Sequence, residues 1–159
     1  MKGVVLAGGT GSRLRPITFS MAKQLVPVAN KPILFYGLED LAEAGIEEVG
    51  IIIAPQTGDE IRRTVGNGDR FGLRIEYIVQ DEPLGLAHAL KTALPFVDGD
   101  DVLMYLGDNL VKQGVADVVR DFKSDRPNCQ ILLTKVDDPS QFGVAELGAA
   151  GEVVRLVEK

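Results

Sequence analysis

Gly3-Val4-Val5-Leu6-Ala7-Gly8-Gly9-Thr10-Gly11-Ser12-Arg13-Leu14-Arg15-Pro16 is the stretch on which the fold of this chain turns. Its first five residues form a short apolar run closed by glycines, the pattern of a buried strand. The glycines that follow let the backbone approach a ligand and turn successive N–H groups toward phosphate oxygens. Arg13 and Arg15 set fixed cations beside those donors, and Lys23 follows soon after. Backbone donors plus cations are what a polyphosphate requires. Arg15 itself reads rather as a surface charge. The segment is not a Walker P-loop, because no Lys-Ser or Lys-Thr follows at the required spacing. Nor is it a dinucleotide fingerprint. The glycine expected after Gly9-Thr10-Gly11 is missing, and the second strand ends in Ala54-Pro55-Gln56 without an acid to hold a ribose. An NAD-type oxidoreductase is therefore disfavoured.

The charge pattern around this segment agrees with a local anion site. Five cations (Lys2, Arg13, Arg15, Lys23, Lys31) and no acid fall within residues 1–38, while the whole chain carries a net charge of −6. A basic opening on an acidic body suggests one anion site, with chance clustering as the bland alternative. The overall acidity argues against nucleic acid as a partner. The 159 residues suit one domain. A chain of about 150 residues buries roughly 70% of its surface and needs no disulfide or metal staple. The single cysteine (Cys129) and single histidine (His88) exclude an intrachain disulfide, a Cys-cluster zinc site and a multi-histidine metal site. No apolar run approaches the roughly 18 residues of a membrane span. The N-terminus lacks signal-peptide character, so a cytoplasmic protein away from membranes is expected.

Further along, strand and helix patterns alternate. Val49–Ile53, Leu73–Val79, Val102–Leu106 and Ile131–Val136 read as strands. Helices are expected from Pro32 to a glycine stop at Gly45, from Asp59 to Val65, from Leu84 to Leu94 before Pro95, and around Val115–Phe122. A hairpin is expected from Val144–Leu147 and Val153–Val157. Cys129 is expected to be a small packed residue, and His88 a structural one. Alternating strands and helices mean an α/β fold, a mostly parallel sheet with helices on both faces. Such sheets bind ligands at the carboxyl ends of their strands. That directs attention to the loops after Ala7, Val79 and Leu106. The acidic pairs Asp100-Asp101 and Glu47-Glu48 precede their strands, lie at the opposite edge, and read as turns.

The glycine segment through Thr18, then Ala22-Lys23-Gln24-Leu25-Val26-Pro27-Val28 and Lys31-Pro32-Ile33, resembles the opening of the sugar-phosphate nucleotidylyltransferases, most closely the glucose-1-phosphate thymidylyltransferases of the long bacterial form. The resemblance continues through Gln80-Asp81-Glu82-Pro83-Leu84-Gly85-Leu86-Ala87, Leu106-Gly107-Asp108-Asn109 and Asp138–Glu146. It implies a Rossmann-like nucleotide-diphospho-sugar transferase fold and one nucleotidyltransferase domain over residues 1–159. It also implies transfer of a nucleotidyl group from dTTP to glucose 1-phosphate, releasing pyrophosphate, with Mg²⁺ as cofactor. Another nucleotide and sugar pair such as UTP, or a non-catalytic nucleotide-binding module, are the alternatives.

The resemblance assigns roles residue by residue. Leu6, Gly8, Gly9, Thr10, Gly11 and Ser12 would meet the nucleotide. Arg13 would stabilise the phosphates and the leaving pyrophosphate, and Lys23 the charge near the α-phosphate. Asp108 would hold Mg²⁺ at a strand end, although Gly-Asp-Asn on its own reads as a turn. Gln80 would read a pyrimidine edge with its donor and acceptor, in a pocket shaped by Pro83 and Gly85. Gln24 is a second polar candidate, with an exposed glutamine as an equal reading. On the sugar side stand Gly143, Glu158 and Lys159. The chain stops inside a Glu-Lys-Pro element, so a second metal aspartate, the rest of the sugar wall and the oligomer contacts of a homo-oligomer are expected beyond it. The chain alone is expected to be weakly active and prone to self-association.

Overall fold

The computed structural model describes all residues except Thr10, Ser12, Arg13, Arg15, 17–20, Glu158 and Lys159, and, for Gln141, the side chain. The chain divides into two compact units, Met1–Ser124 and Asp125–Lys159.

The first unit is built on β1 (Lys2–Leu6), a small ladder of β2 (Pro27–Val28) and β3 (Lys31–Pro32), α1 (Ile33–Glu43), β4 (Glu48–Ile53), α2 (Gly58–Val65), β5 (Arg74–Val79), α3 (Leu86–Thr92), α4 (Leu94–Val97), β6 (Val102–Leu106) and α5 (Ala116–Asp125). Four strands form one all-parallel sheet in the order β5-β4-β1-β6. The chain moves outward from β1 through β4 to β5, then returns to the other side of β1. That reversal puts the connecting helices on opposite faces. Val5, Val49, Ile51, Ile53 and Tyr105 pack with Leu34, Leu38, Leu41, Ile61, Val65 and Val119 of α1, α2 and α5. Val4 and Ile52 pack with Ala89 of α3, Val97 of α4 and Ala93 between the two helices. Strands covered on both faces must be apolar throughout, which is why β1 and β4 are plain in the sequence.

The end of α1 follows from one glycine. The N–H of Gly45 donates to the Ala42 carbonyl (3.0 Å) and that of Ile46 to Leu41 (3.1 Å), with Gly45 at φ +74°. This paired closure satisfies carbonyls the last turn would leave bare.

Two features depart from expectation. The single helix expected over Leu84–Leu94 is instead α3 followed by α4, with Pro95 inside the first turn of α4. A proline there lacks only an N–H that has no helical partner anyway, so it starts a helix instead of ending one. The β2–β3 ladder, with Ala29 (φ 48°) and Asn30 (φ 66°) at its two-residue turn, was not expected. Left-handed residues at both turn positions match the twist of a tight hairpin.

The second unit contains the expected hairpin, β7 (Val144–Leu147) against antiparallel β8 (Val153–Val157). Its turn is closed by the Gly148 N–H on the Glu152 carbonyl at 2.8 Å. The strand expected at Ile131–Val136 has no ladder partner among the described residues, and Ile131, Leu132, Leu133 and Val136 are exposed. An apolar run becomes a strand only when a neighbour takes its N–H and C=O groups. Cys129 is correspondingly exposed, not packed. Among the described residues no helix is long and apolar enough to cross a membrane.

Candidate active site

The carboxyl edge of the four-stranded sheet gathers the candidate residues into one row. The parallel strands all end there, so Gly8 after β1, Ala54 after β4, Gln80 after β5 and Asp108 after β6 come out on the same side. Their order follows the strand order. The Ala7 N–H donates to the Ile52 carbonyl (2.8 Å), Gln80 N–H to Ile53 (2.9 Å) and Gly107 N–H to Leu6 (3.0 Å), so the ladder extends to the lip of the site. A Cβ on Gly8 would lie 3.6 Å from both the Ala54 nitrogen and Gln80 Oε1. A Cβ on Gly9 would lie 2.8 Å from Lys23 Cε and 3.2 Å from its Nζ. The reversal of strand order falls between β1 and β6, the crevice where open α/β sheets take ligands.

Lys23 Nζ donates to Asp108 Oδ2 at 2.6 Å, across 85 residues of sequence. The lysine is held by a 3-10 turn, Lys23–Leu25, anchored by the buried Ala22 and Leu25. The Ala22 N–H is itself bonded to Glu60 Oε2 (2.8 Å) on α2. Gln24 is fully buried, which removes the reading of an exposed surface glutamine. Among the described residues neither of its amide atoms has a hydrogen-bond partner, and its Nε2 lies 3.7 Å from where a Gly9 Cβ would stand. A buried, unsatisfied amide costs about 1–3 kcal/mol. One aimed at a glycine loop is suited to a polar ligand.

Gln80 is also buried, and its Nε2 lies 2.8 Å from Nδ1 of His88 on α3. His88, expected to be structural, touches a candidate ligand-reading residue and lines an opening with Val79, Asp81, Glu82 and Thr92. The eight-residue spacing from a strand end to a helix face gave no signal of this in sequence. Pro83 is exposed in the loop after Gln80, and Gly85 begins α3 with φ +94° and open space where a Cβ would be. A side-chain-bearing residue would be strained there.

The turn carrying Asp108 is tied to α1. The Tyr105 hydroxyl lies 3.1 Å from Asp40 Oδ2 and 3.3 Å from the Asn109 carbonyl, its one proton shared between them. Burial pushes the Tyr105 phenol well above its usual range, with the Asp40 charge adding to it. Burial likewise raises the Asp40 carboxyl, against the lowering effect of the Tyr105 bond.

Thr10, Ser12, Arg13, Glu158 and Lys159 lie outside the described residues. Gly11 has φ +63° in the loop. Gly143 precedes β7 in the second unit. The acidic pairs lie at the amino edge as expected, but not as turns, since Glu48 is already the first residue of β4 and Asp100-Asp101 lead straight into β6. Arg74 bonds Glu47 (3.3 Å) and Glu48 (2.8 Å), and Asp101 accepts the Lys2 N–H at 2.8 Å. Among the described residues no group of three or more His, Cys, Asp or Glu could form a metal cage. Asp108 alone fits a different arrangement. Mg²⁺ is commonly bound through one or two carboxylates plus the phosphates of a substrate.

The family described as Nucleotidyl transferase matches residues 2–159. A glucose-1-phosphate thymidylyltransferase of Streptomyces griseus is 57% identical over the whole chain, which spans 44% of that protein. The low-salt glycan biosynthesis nucleotidyltransferase Agl11 of Haloferax volcanii is 54% identical, again over 44% of its length. The chain thus spans less than half of these curated relatives. A Bacillus anthracis protein assigned as a glucose-1-phosphate thymidylyltransferase, crystallised with a sucrose, superposes with a TM-score of 0.94 at 35% identity, covering 99% of this chain and 64% of that one. A UDP-glucose pyrophosphorylase complexed with UDP-glucose superposes with a TM-score of 0.81 at 21% identity, over 99% of this chain and 68% of the other, a likeness of fold alone.

Proposed function

The chain belongs to the nucleotidyl transferase family, and on that premise we propose that it carries the nucleotide-binding half of an enzyme that moves a thymidylyl group from dTTP to glucose 1-phosphate. The observation that carries this reading is the continuous row from Gln80 through Gly8 and Gly9 to Lys23 and Asp108. It offers a base reader at one end and a cation and carboxylate at the other, with a glycine floor between them.

In this reading a phosphate oxygen of the sugar 1-phosphate attacks the α-phosphorus of the triphosphate. The new O–P bond forms as the bond to the β-phosphate bridging oxygen breaks. The products are dTDP-glucose and pyrophosphate. The protein has little covalent work to do, so positioning and charge stabilisation carry the rate. Gly8 to Ser12 supply backbone N–H groups to the phosphates, and Gly9 lets the loop lie close over Lys23. Lys23 exchanges Asp108 for phosphate oxygens as the nucleotide enters, which frees the carboxylate. Mg²⁺ held by Asp108 and the phosphates would neutralise charge that builds on the leaving pyrophosphate. Arg13 would act on the same phosphates. Gln24 would satisfy its buried amide on the nucleotide. Gln80 faces the base, with Leu6, Pro83 and Gly85 about it. Gly143, Glu158 and Lys159 are assigned to the sugar phosphate.

UTP is the second reading, because uracil presents the same imide edge to Gln80 as thymine and differs only by a methyl group. A pyrophosphate-release assay over dTTP, UTP, dCTP and GTP, each with glucose 1-phosphate, tests both. Release with dTTP above all others supports the first reading and a UTP preference the second. If calorimetric titration finds binding of none of the four, both readings are overturned.

A further inference from the structure

We infer that His88 is a positioning residue that sets which end of the Gln80 carboxamide meets the base, and thereby selects thymine or uracil over cytosine. The inference rests on the nucleotide-binding reading above.

An amide nitrogen can only donate, so the 2.8 Å approach of Gln80 Nε2 to His88 Nδ1 makes Nδ1 the acceptor. The ring is then neutral, with its proton on Nε2. The carboxamide is thereby held one way round. Its nitrogen is directed to α3, and Oε1 lies on the Gly8 side, 3.6 Å from where a Gly8 Cβ would be. The glycine loop therefore faces an acceptor. Thymine and uracil carry a ring N–H that this oxygen can receive. Cytosine carries a bare ring nitrogen at the same place, and two acceptors would then oppose one another in a buried position. Gln80 without a partner could rotate its amide by half a turn and read either base. The His88 contact removes that freedom.

Because the chain holds one histidine, its imidazole can be observed without ambiguity. In a ¹⁵N-labelled sample of the chain near pH 8, two-bond ¹H–¹⁵N spectra should give the Nε2–H tautomer. An Nδ1–H tautomer overturns the inference without any nucleotide present. Calorimetric titration near pH 8 then compares dTTP with dCTP. The expected preference for dTTP is about tenfold, the scale of one hydrogen bond gained or opposed. His88→Phe, which offers Gln80 no acceptor, should reduce it to within about threefold. A preference unchanged in His88→Phe overturns the role of His88 and leaves the nucleotide reading standing. Failure of the wild-type chain to bind either nucleotide overturns the nucleotide reading, and selection by His88 with it.

Discussion

Gly9→Ala isolates the contact between the glycine loop and its lysine. The added Cβ would stand 2.8 Å from Lys23 Cε, where ordinary van der Waals contact begins at 3.4 Å, so the side chain must retreat by at least about 0.6 Å. Gly9 is not in the left-handed region, so its backbone accepts alanine without strain. The obstructed atoms are the free end of a flexible chain, and folding should hardly register the change. The ammonium, however, leaves its place under the loop. Stretching a unit charge pair from the 2.6 Å seen with Asp108 to about 3.2 Å costs roughly 1 kcal/mol at an effective dielectric of about 20. Applied to a phosphate at the same distance, that is about fivefold in affinity. Calorimetric titration with dTTP should show this loss, with the thermal midpoint moving by less than about 2 °C. In a Lys23→Ala background there is nothing left to displace, and the same glycine change should cost less than about twofold. Undiminished affinity in Gly9→Ala, or an equal loss with and without Lys23, would refute the reasoning.

Asp108→Asn should cost under about 1 kcal/mol of stability, because its pair with Lys23 is part-exposed. It should also remove any gain in dTTP affinity on adding Mg²⁺, as read by titrations with and without the metal. Gly37→Ala should behave oppositely. Its Cβ would meet three atoms of the buried Tyr105 ring at 2.6, 3.1 and 3.2 Å, and the ring has no room to withdraw. A destabilisation of about 1–3 kcal/mol is expected in denaturant unfolding. Asp40→Asn addresses the raised Asp40 carboxyl. A raised folded-state value means the folded chain holds the proton more tightly than the unfolded chain. The penalty of burying the charge is therefore absent in acid and fully present once the pH has risen through that value. The variant should melt above the wild type near neutral pH, with the difference shrinking as the pH approaches the ordinary carboxylate range.

β1 and β4 were readable because burial on both faces leaves them largely apolar, β5 because its residues alternate at the edge of the sheet, and Gly45 marked the end of α1 through the left-handed turn it adopts. Ile131–Val136 shows the limit of such patterns. Its residues satisfy a strand's side-chain preference, but no neighbour among the described residues takes up its backbone, and that condition lies outside the segment itself. The Leu84–Leu94 helix failed for a related reason. Proline stops a helix it follows and starts one it heads, and local sequence does not say which. Gln24 gave no hint of burial, since its environment is made by Ala22, Leu25 and the glycine loop folding over it.

The residue types of the candidate site could be listed from the chain alone. Glycines beside cations, a carboxylate after an apolar run and a glutamine at a strand end each carry their chemistry wherever they stand. Their order along the edge could not be listed. Lys23 and Asp108 lie 85 residues apart, and only the parallel ladder, with β1 between β4 and β6, brings them within hydrogen-bond reach. The Gln80–His88 contact is likewise a product of tertiary structure. Hydrogen bonds depend on distance and direction, and here both are set by the packing of α3 on the sheet.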